Sequence, residues 1–73
     1  MEVDAVVHRA DGRQSVALVS NISNEGSRLD ASDAFRIGER LTIAIPRIGR
    51  VKAQVRWALL GSAGTKFIDD PDF

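Results

Sequence analysis

The sequence predicts an all-β fold, a small six-stranded antiparallel β-barrel with at most one short turn of helix. Six short runs rich in apolar and β-branched residues recur about every ten residues, and Gly, Asn, Asp, Ser or Pro separate them. Several runs alternate apolar and polar residues, which is the period of a strand with one buried face. A flat sheet of this size would expose two unpaired edges, so closure into a barrel is the favoured architecture.

The chain opens with a predicted hairpin. Residues 2–9 and 15–20 are the first two strand-like runs, and Asp11-Gly12 lies between them. Asp and Gly tolerate the positive φ of a type I′ turn, so this dipeptide between two such runs predicts a tight connection.

The middle of the chain is less regular. Residues 27–29 predict a short third strand, and residues 30–35 predict a loop or a single helical turn that Asp30 or Ser32 could cap. A turn at Gly38 then leads into the next strand.

The clearest strand signals lie in the second half. Residues 40–46 alternate in hydrophobicity and end at Pro46, which has no N–H to give to a ladder. Residues 50–59 form the strongest predicted strand, and residues 65–68 form the last one. On the fifth strand the alternation places Val51, Ala53, Val55 and Trp57 on one face and Lys52, Gln54 and Arg56 on the other.

These elements predict one domain over residues 1–68, followed by an acidic C-terminal tail over residues 69–73. Eight apolar side chains are expected to fill the barrel: Ile37, Leu41, Ile43, Ile45, Val51, Val55, Trp57 and Phe67. For Trp57 a second interpretation stays open, a platform on which a base stacks.

The composition and the charge of the chain limit the kinds of molecule that it is expected to bind. The chain has no cysteine, no apolar run long enough to span a bilayer and no signal-peptide pattern, so a cytoplasmic protein without a membrane partner is expected. Its net charge is zero, which argues against DNA or RNA binding. Positions 28–66, however, contain eight basic residues and only three acidic ones, and eight of the chain's ten basic residues are Arg. This excess fits a small anionic partner or a solvated Arg-rich face.

A polar corner at residues 21–26 follows the second strand. Asn and Ser side chains can bond nearby backbone N–H groups there, and Gly26 can take positive φ at no steric cost. Its pattern, Asn21-x-Ser23-x-x-Gly26, resembles the (Asp/Asn)-x-Ser-x-x-Gly signature of the PilZ domain family. The later strands also resemble the family in the order and spacing of their residues. The stretches that match are Gly26-Ser27-Arg28-Leu29, Ile37-Gly38-Glu39-Arg40-Leu41, Leu41-Thr42-Ile43-Ala44-Ile45-Pro46, Val51-Lys52-Ala53-Gln54-Val55-Arg56-Trp57 and Gly64-Thr65-Lys66-Phe67.

The resemblance implies a six-stranded barrel that receives the bacterial second messenger cyclic di-GMP. It implies that Asn21 and Ser23 contact the guanine edge and the phosphates, and that Gly26 allows a close backbone approach. Arg28, two residues further on, is the base nearest this corner. Cyclic di-GMP is therefore the expected ligand if there is one, and no cofactor is expected.

The family's second motif, an Arg-x-x-x-Arg clamp just before the first strand, is not found at that place. The one such pattern, Arg9 to Arg13, straddles the predicted hairpin turn. Arg13 lies eight residues before Asn21 along one strand, roughly 25 Å away at about 3.3 Å per residue. Arg9 and Arg13 are therefore interpreted as surface residues beside a turn. Either the clamp was lost or it precedes Met1 in a longer chain, and cyclic di-GMP binding by this chain alone is expected to be weak or absent.

Catalysis is not expected. His8 is the single histidine and has no nucleophile near it in sequence, and Asp69, Asp70 and Asp72 predict a solvated terminus better than a metal site. The leading hypothesis is a signalling or adaptor domain that works with a protein partner or a further domain. The alternative is a ligand-independent interaction barrel that binds a protein through an exposed strand edge or its Arg-rich face.

Overall fold

A computed structural model describes residues 2–68 and shows six β-strands with no helix among them. Each strand overlaps one of the six predicted runs. The strands are β1 (Val3–Arg9), β2 (Gln14–Ser20), β3 (Gly26–Asp30), β4 (Arg40–Ile45), β5 (Gly49–Leu59) and β6 (Ser62–Phe67). The predicted acidic tail lies outside the described residues.

The strands form one closed antiparallel barrel in the order β1-β2-β3-β6-β5-β4, and β4 pairs back with β1. The predicted fold class is confirmed. Every strand has a paired neighbour on each side within residues 2–68, so no whole strand lies at an edge of the sheet. Pairing is incomplete along some strands, because β1 is matched with β4 only over residues 6–9 and β2 with β3 only over residues 18–20. Binding of a protein through such an exposed stretch stays a prediction.

The barrel interior is filled by inward-facing aliphatic side chains, many of them small. The predicted core residues Leu41, Ile43, Ile45 and Val55 are buried, while Val51 and Phe67 pack against this core and remain partly buried. The other buried apolar residues are Ala5, Val7, Ala17, Val19, Leu29, Phe35, Ala53 and Ala63.

Ile37 was wrongly predicted to lie in the core. It is 72% exposed because it lies in the turn before β4, which the Glu39 N–H closes by donating to the Arg36 carbonyl at 3.0 Å. Phe35, two residues earlier, takes the buried place.

Trp57 was also wrongly predicted to lie in the core. β5 carries a bulge at Arg56. Val55 pairs with Thr65 and Trp57 pairs with Gly64, so Arg56 is an extra residue with no opposite residue on β6. A bulge of one residue reverses the inward and outward alternation beyond it. Trp57 therefore lies on the outside, 42% exposed, and Ala58 packs against the core in its place.

The first hairpin differs in detail from the predicted type I′ turn, which needs two residues with positive φ. Only Gly12 has positive φ there, at 90°, and its N–H donates to the Arg9 carbonyl at 3.0 Å. The connection is thus a three-residue loop, a turn followed by one left-handed residue, and it still places the two strands in antiparallel register.

Arg9 is buried, which corrects its interpretation as a surface residue beside the turn. Its side chain is 6% exposed and forms a two-pronged ion pair with Glu39, whose side chain is 14% exposed, at 2.6 and 2.7 Å. Its guanidinium also donates to the Ala34 carbonyl at 2.9 Å and lies 5.0 Å from the centre of the Phe35 ring. These partners are 25 to 30 positions away in sequence, so nothing local marks Arg9 as buried.

The ion pair ties the end of β1 to the long connection between β3 and β4. Burial alone would raise the pKa of Glu39, but hydrogen bonds from the Arg9 side chain and the Arg36 N–H outweigh it and leave the pKa below its ordinary value.

We predict that Glu39→Ala lowers the free energy of unfolding by about 3 kcal/mol, because it leaves a buried guanidinium without its counter-charge. The exposed ion pair between Arg13 and Asp11 is the matched control, and Arg13→Gln should change stability by less than about 0.5 kcal/mol. Urea unfolding followed by Trp57 fluorescence measures both. The double variant Arg9→Met/Glu39→Leu should recover most of the loss; equal stability of Glu39→Ala and the native protein would contradict the prediction.

The same pair predicts a pH dependence. Since the pKa of Glu39 is lower in the folded protein than its ordinary value of 4.5, the unfolded chain binds more protons in the acid range, and stability rises with pH there. The contribution of Glu39 is complete above about pH 5 and is lost as the pH falls through 4.5 and on through the folded-state pKa. The stability difference between the native protein and Glu39→Ala should accordingly shrink in acid; a difference independent of pH would exclude this linkage.

Candidate ligand-binding site

The corner between β2 and β3 is held by its own polar groups. The Ser23 hydroxyl accepts hydrogen bonds from the N–H groups of Glu25 and Gly26, at 3.2 and 3.4 Å, and the Ser23 N–H donates to the Gly26 carbonyl at 2.9 Å. Asn21 takes the left-handed conformation, with φ 52°, which Asn tolerates better than most residues. The Ser23 side chain therefore stabilises the turn itself, without any ligand.

Gly26 is needed for a reason other than the predicted one. Its φ is not positive; instead, a Cβ at this position would overlap the carbonyl oxygen of Thr65 on β6. The β3 and β6 backbones meet too closely here for any side chain. The positive φ expected for Gly26 is therefore wrong, and the need for glycine comes from this close approach of two backbones.

The floor beneath the corner is a buried polar contact between the same two strands. The Thr65 hydroxyl donates to the Ser27 carbonyl at 3.1 Å, and the Ser27 and Thr65 hydroxyls lie 3.2 Å apart. Both residues are buried, so these bonds fix the spacing of β3 and β6 under the site.

Trp57 forms a flat wall beside the corner. It pairs with Gly64, and a Cβ on Gly64 would overlap atoms of the indole ring, so the ring lies directly over this glycine. The indole is backed by the β6 backbone and still 42% exposed. A ring held in this way is a suitable stacking surface for an aromatic base.

The polar corner, the Ser27–Thr65 contact and the Trp57 ring line one open cavity of about 550 Å³. Its charged lining consists of Arg28, Arg56 and Lys66 against the single acid Glu25, which leaves two positive charges in excess. Arg28 makes an exposed ion pair with Asp30 at 3.3 Å. Within residues 2–68, Arg56 and Lys66 have no carboxylate within 4 Å. The cavity is thus suited to an anion that carries a flat ring.

The structure brings the four sequence-predicted site residues, Asn21, Ser23, Gly26 and Arg28, to the wall of this one cavity. The residues predicted from the sequence do not include Arg56, Lys66 or Glu25, and Trp57 is predicted inside the barrel, with a stacking platform as the alternative. The signal that was missed is the pairing of a large aromatic residue with a glycine across two strands, which the bulge in β5 brings about.

Arg9 and Arg13 lie beside the hairpin turn that precedes β2, whereas the corner follows β2. Arg13 precedes β2 and Asn21 follows it, so the length of that strand separates them. Arg9 and Arg13 line a different cavity, of about 560 Å³, that shares no residue with the first. Arg9 is moreover held by Glu39.

In the range 2–68, no group of three or more His, Asp or Glu side chains is placed to hold a metal ion. The same residues contain no helix that is long and apolar enough to cross a membrane.

The sequence model of the PilZ domain family matches residues 1–72, nearly the entire chain. The chain therefore belongs to the PilZ domain family, as its signature and its closed six-stranded barrel indicated. A search of curated proteins found no match.

We predict that Gly64→Ala displaces the Trp57 ring, because the added methyl group occupies the space of the indole. The free energy of unfolding should fall by about 1–3 kcal/mol, the range for overpacking, and Trp57 fluorescence should shift to the red as the ring becomes more solvated. Ser62→Ala, on the same face of β6, is the control and should leave the emission unchanged. Gly26→Ala should cost more than Gly64→Ala, since its methyl group meets backbone instead of a side chain. Unaltered emission in Gly64→Ala would show that the indole does not lie over this glycine.

Proposed function

We propose that this PilZ domain is a cytoplasmic signalling or adaptor module, without catalytic activity, that carries half of a cyclic di-GMP site at the corner formed by residues 21–26. The observation that supports this most directly is the cavity of about 550 Å³ around that corner, with an indole wall and an excess of two positive charges. Cyclic di-GMP has two phosphate charges and two flat guanines, so its charge and shape are complementary to this lining.

In this proposal the guanidinium and ammonium groups of Arg28, Arg56 and Lys66 pair with the phosphates. Arg presents a planar fork that suits phosphate oxygens, and Lys acts as a point charge. One guanine stacks on the exposed face of Trp57, for which about 1–3 kcal/mol per base is typical. The absence of a side chain at Gly26 allows the ligand to approach the backbone.

The affinity of these residues alone should be weak. The family's Arg-x-x-x-Arg clamp would add guanidinium groups for stacking and phosphate pairing, and the pattern at Arg9 and Arg13 lines a different cavity. One stacking platform and partly solvated cations give a modest net free energy once the cost of immobilising the ligand is subtracted.

A second candidate function, binding of a protein without any nucleotide, is supported by exposed leucines at the tip of the β5–β6 hairpin. Leu59 is 69% exposed and Leu60 is fully exposed, and the tip is held to the barrel by the Ala31 N–H, which donates to the Gly61 carbonyl at 3.0 Å. A fixed apolar projection of this kind is a common feature of contact surfaces.

Titration of the ¹⁵N-labelled protein with cyclic di-GMP tests the first function. Shifts should concentrate at Asn21, Gly26, Arg28 and the Trp57 indole N–H, with a dissociation constant weaker than about 1 μM and binding still detectable near 1 mM. Arg56→Gln should weaken binding about fivefold, the effect of one exposed charge pair, and Arg50→Gln, a surface arginine outside the cavity, should leave it unchanged.

Two results would overturn this function as stated. A dissociation constant tighter than about 1 μM would mean that the cavity is a complete site and not half of one. No shift at millimolar cyclic di-GMP would favour the protein-binding barrel, and Leu60→Ser should then reduce capture of its partner irrespective of added nucleotide.

A further inference from the structure

We infer that Glu25 is the residue that selects guanine over adenine in this cavity, by accepting hydrogen bonds from the guanine N1–H and its exocyclic amino group. This inference rests on the proposed function, because it concerns a ligand of the same cavity. It assigns a role to one of the three variable positions of the signature, which the signature itself leaves undefined.

The first support is that the backbone of Glu25 is held on both sides while its side chain is exposed. The Glu25 N–H donates to the Ser23 hydroxyl at 3.2 Å, and the Glu25 carbonyl accepts the Phe67 N–H at 2.7 Å. The corner is therefore fixed to β6 through the residue itself. The point from which the side chain projects is thus fixed relative to the cavity that Glu25 lines.

The second support is that the Glu25 carboxylate has no partner in the described residues, although cations line the same cavity. No Lys or Arg nitrogen of residues 2–68 lies within 4 Å of it, and Arg28 pairs with Asp30 instead. An unpaired carboxylate in a cavity for a dianionic ligand weakens binding by repulsion. It becomes favourable when the ligand itself brings N–H donors to it.

The third support is the hydrogen-bonding chemistry of the two purines. An ionised carboxylate has two acceptor oxygens and no donor. Guanine presents two adjacent donors on its Watson–Crick edge, N1–H and the N2 amino group, and these match the two oxygens. Adenine presents the acceptor N1 beside its amino group, so one oxygen would face a lone pair.

The other polar groups of the cavity are less suited to this task. Asn21 is neutral and offers a single acceptor oxygen beside a donor amide, so it cannot accept both guanine donors in the two-pronged way of a carboxylate. Arg28, Arg56 and Lys66 only donate, the buried hydroxyls of Ser27 and Thr65 bond to each other, and the Ser23 hydroxyl already accepts two N–H groups of the corner. Glu25 is thus the single ionised acceptor among the described residues that line the cavity.

The position of Glu25 relative to the indole also fits a bound base. Glu25 directly precedes Gly26, which pairs with Lys66, whereas Trp57 covers Gly64 two residues away along β6. That separation corresponds to about 7 Å along the strand at about 3.3 Å per residue. A purine that stacks on the indole can therefore direct its edge towards the corner from which Glu25 projects.

The test compares cyclic di-GMP with cyclic di-AMP, which has the same backbone and charge, by NMR titration of the native protein and of Glu25→Gln. The native protein should prefer the guanine ligand by roughly ten- to a hundredfold, the range of one two-pronged base contact. In Glu25→Gln, affinity for cyclic di-GMP should fall by about tenfold, and affinity for cyclic di-AMP should stay equal or rise as the repulsion disappears. Glu2→Gln, an exposed acid outside the cavity, is the matched control and should change neither affinity.

The failure of this inference can be told apart from the failure of the proposed function. If Glu25→Gln binds both dinucleotides more tightly with an unchanged preference, Glu25 is only a repulsive surface charge and the inference is overturned. If neither dinucleotide shifts the cavity resonances in the native protein or the variant, the cavity is no nucleotide site and both proposals fall.

Discussion

Closure of the barrel is the constraint on which the rest of the structure depends. Six short strands must coil enough for β4 to pair with β1, and the described chain does this in fewer than seventy residues. Strong coiling needs small side chains inside and local irregularity in at least one strand. Four of the twelve buried apolar residues are alanines, and the eleven-residue strand β5 carries the bulge.

The candidate site is a consequence of that same bulge. One extra residue at Arg56 reverses the alternation, so Trp57 emerges on the outer surface instead of the core and its ring covers Gly64. The strand pair next to it approaches so closely that Gly26 has no room for a Cβ. The irregularity that bends the strand thus also produces an aromatic wall beside a bare stretch of backbone, which is a suitable combination for a flat, charged ligand.

Much of this could be predicted from the sequence, and the failures have specific physical causes. Alternation and turn residues locate all six strands, because both depend on neighbours close in the chain. The bulge adds a residue without altering the local pattern of β5, so Trp57 looks like a core residue until its partner Gly64 is known. Arg9 looks like a surface residue for the same reason, since Glu39 and the Ala34 carbonyl that hold it lie far along the chain. The signature predicts the corner residues Asn21, Ser23 and Gly26. It does not predict the residues of β5 and β6 that line the same cavity.

The buried ion pair and the candidate binding cavity share no residue. The Arg9–Glu39 ion pair fixes the end of β1 to the β3–β4 connection, while the cavity lies where β3, β5 and β6 meet. The two adjoin through the backbone only, where the Val55 N–H, next to Arg56, donates to the Glu39 carbonyl at 2.9 Å. The charged side chains around the cavity can therefore change without loss of a side-chain contact of the ion pair, and the neutral chain can concentrate two positive charges in one place. The charge of the whole protein consequently says little about what this corner attracts, whereas the local lining does.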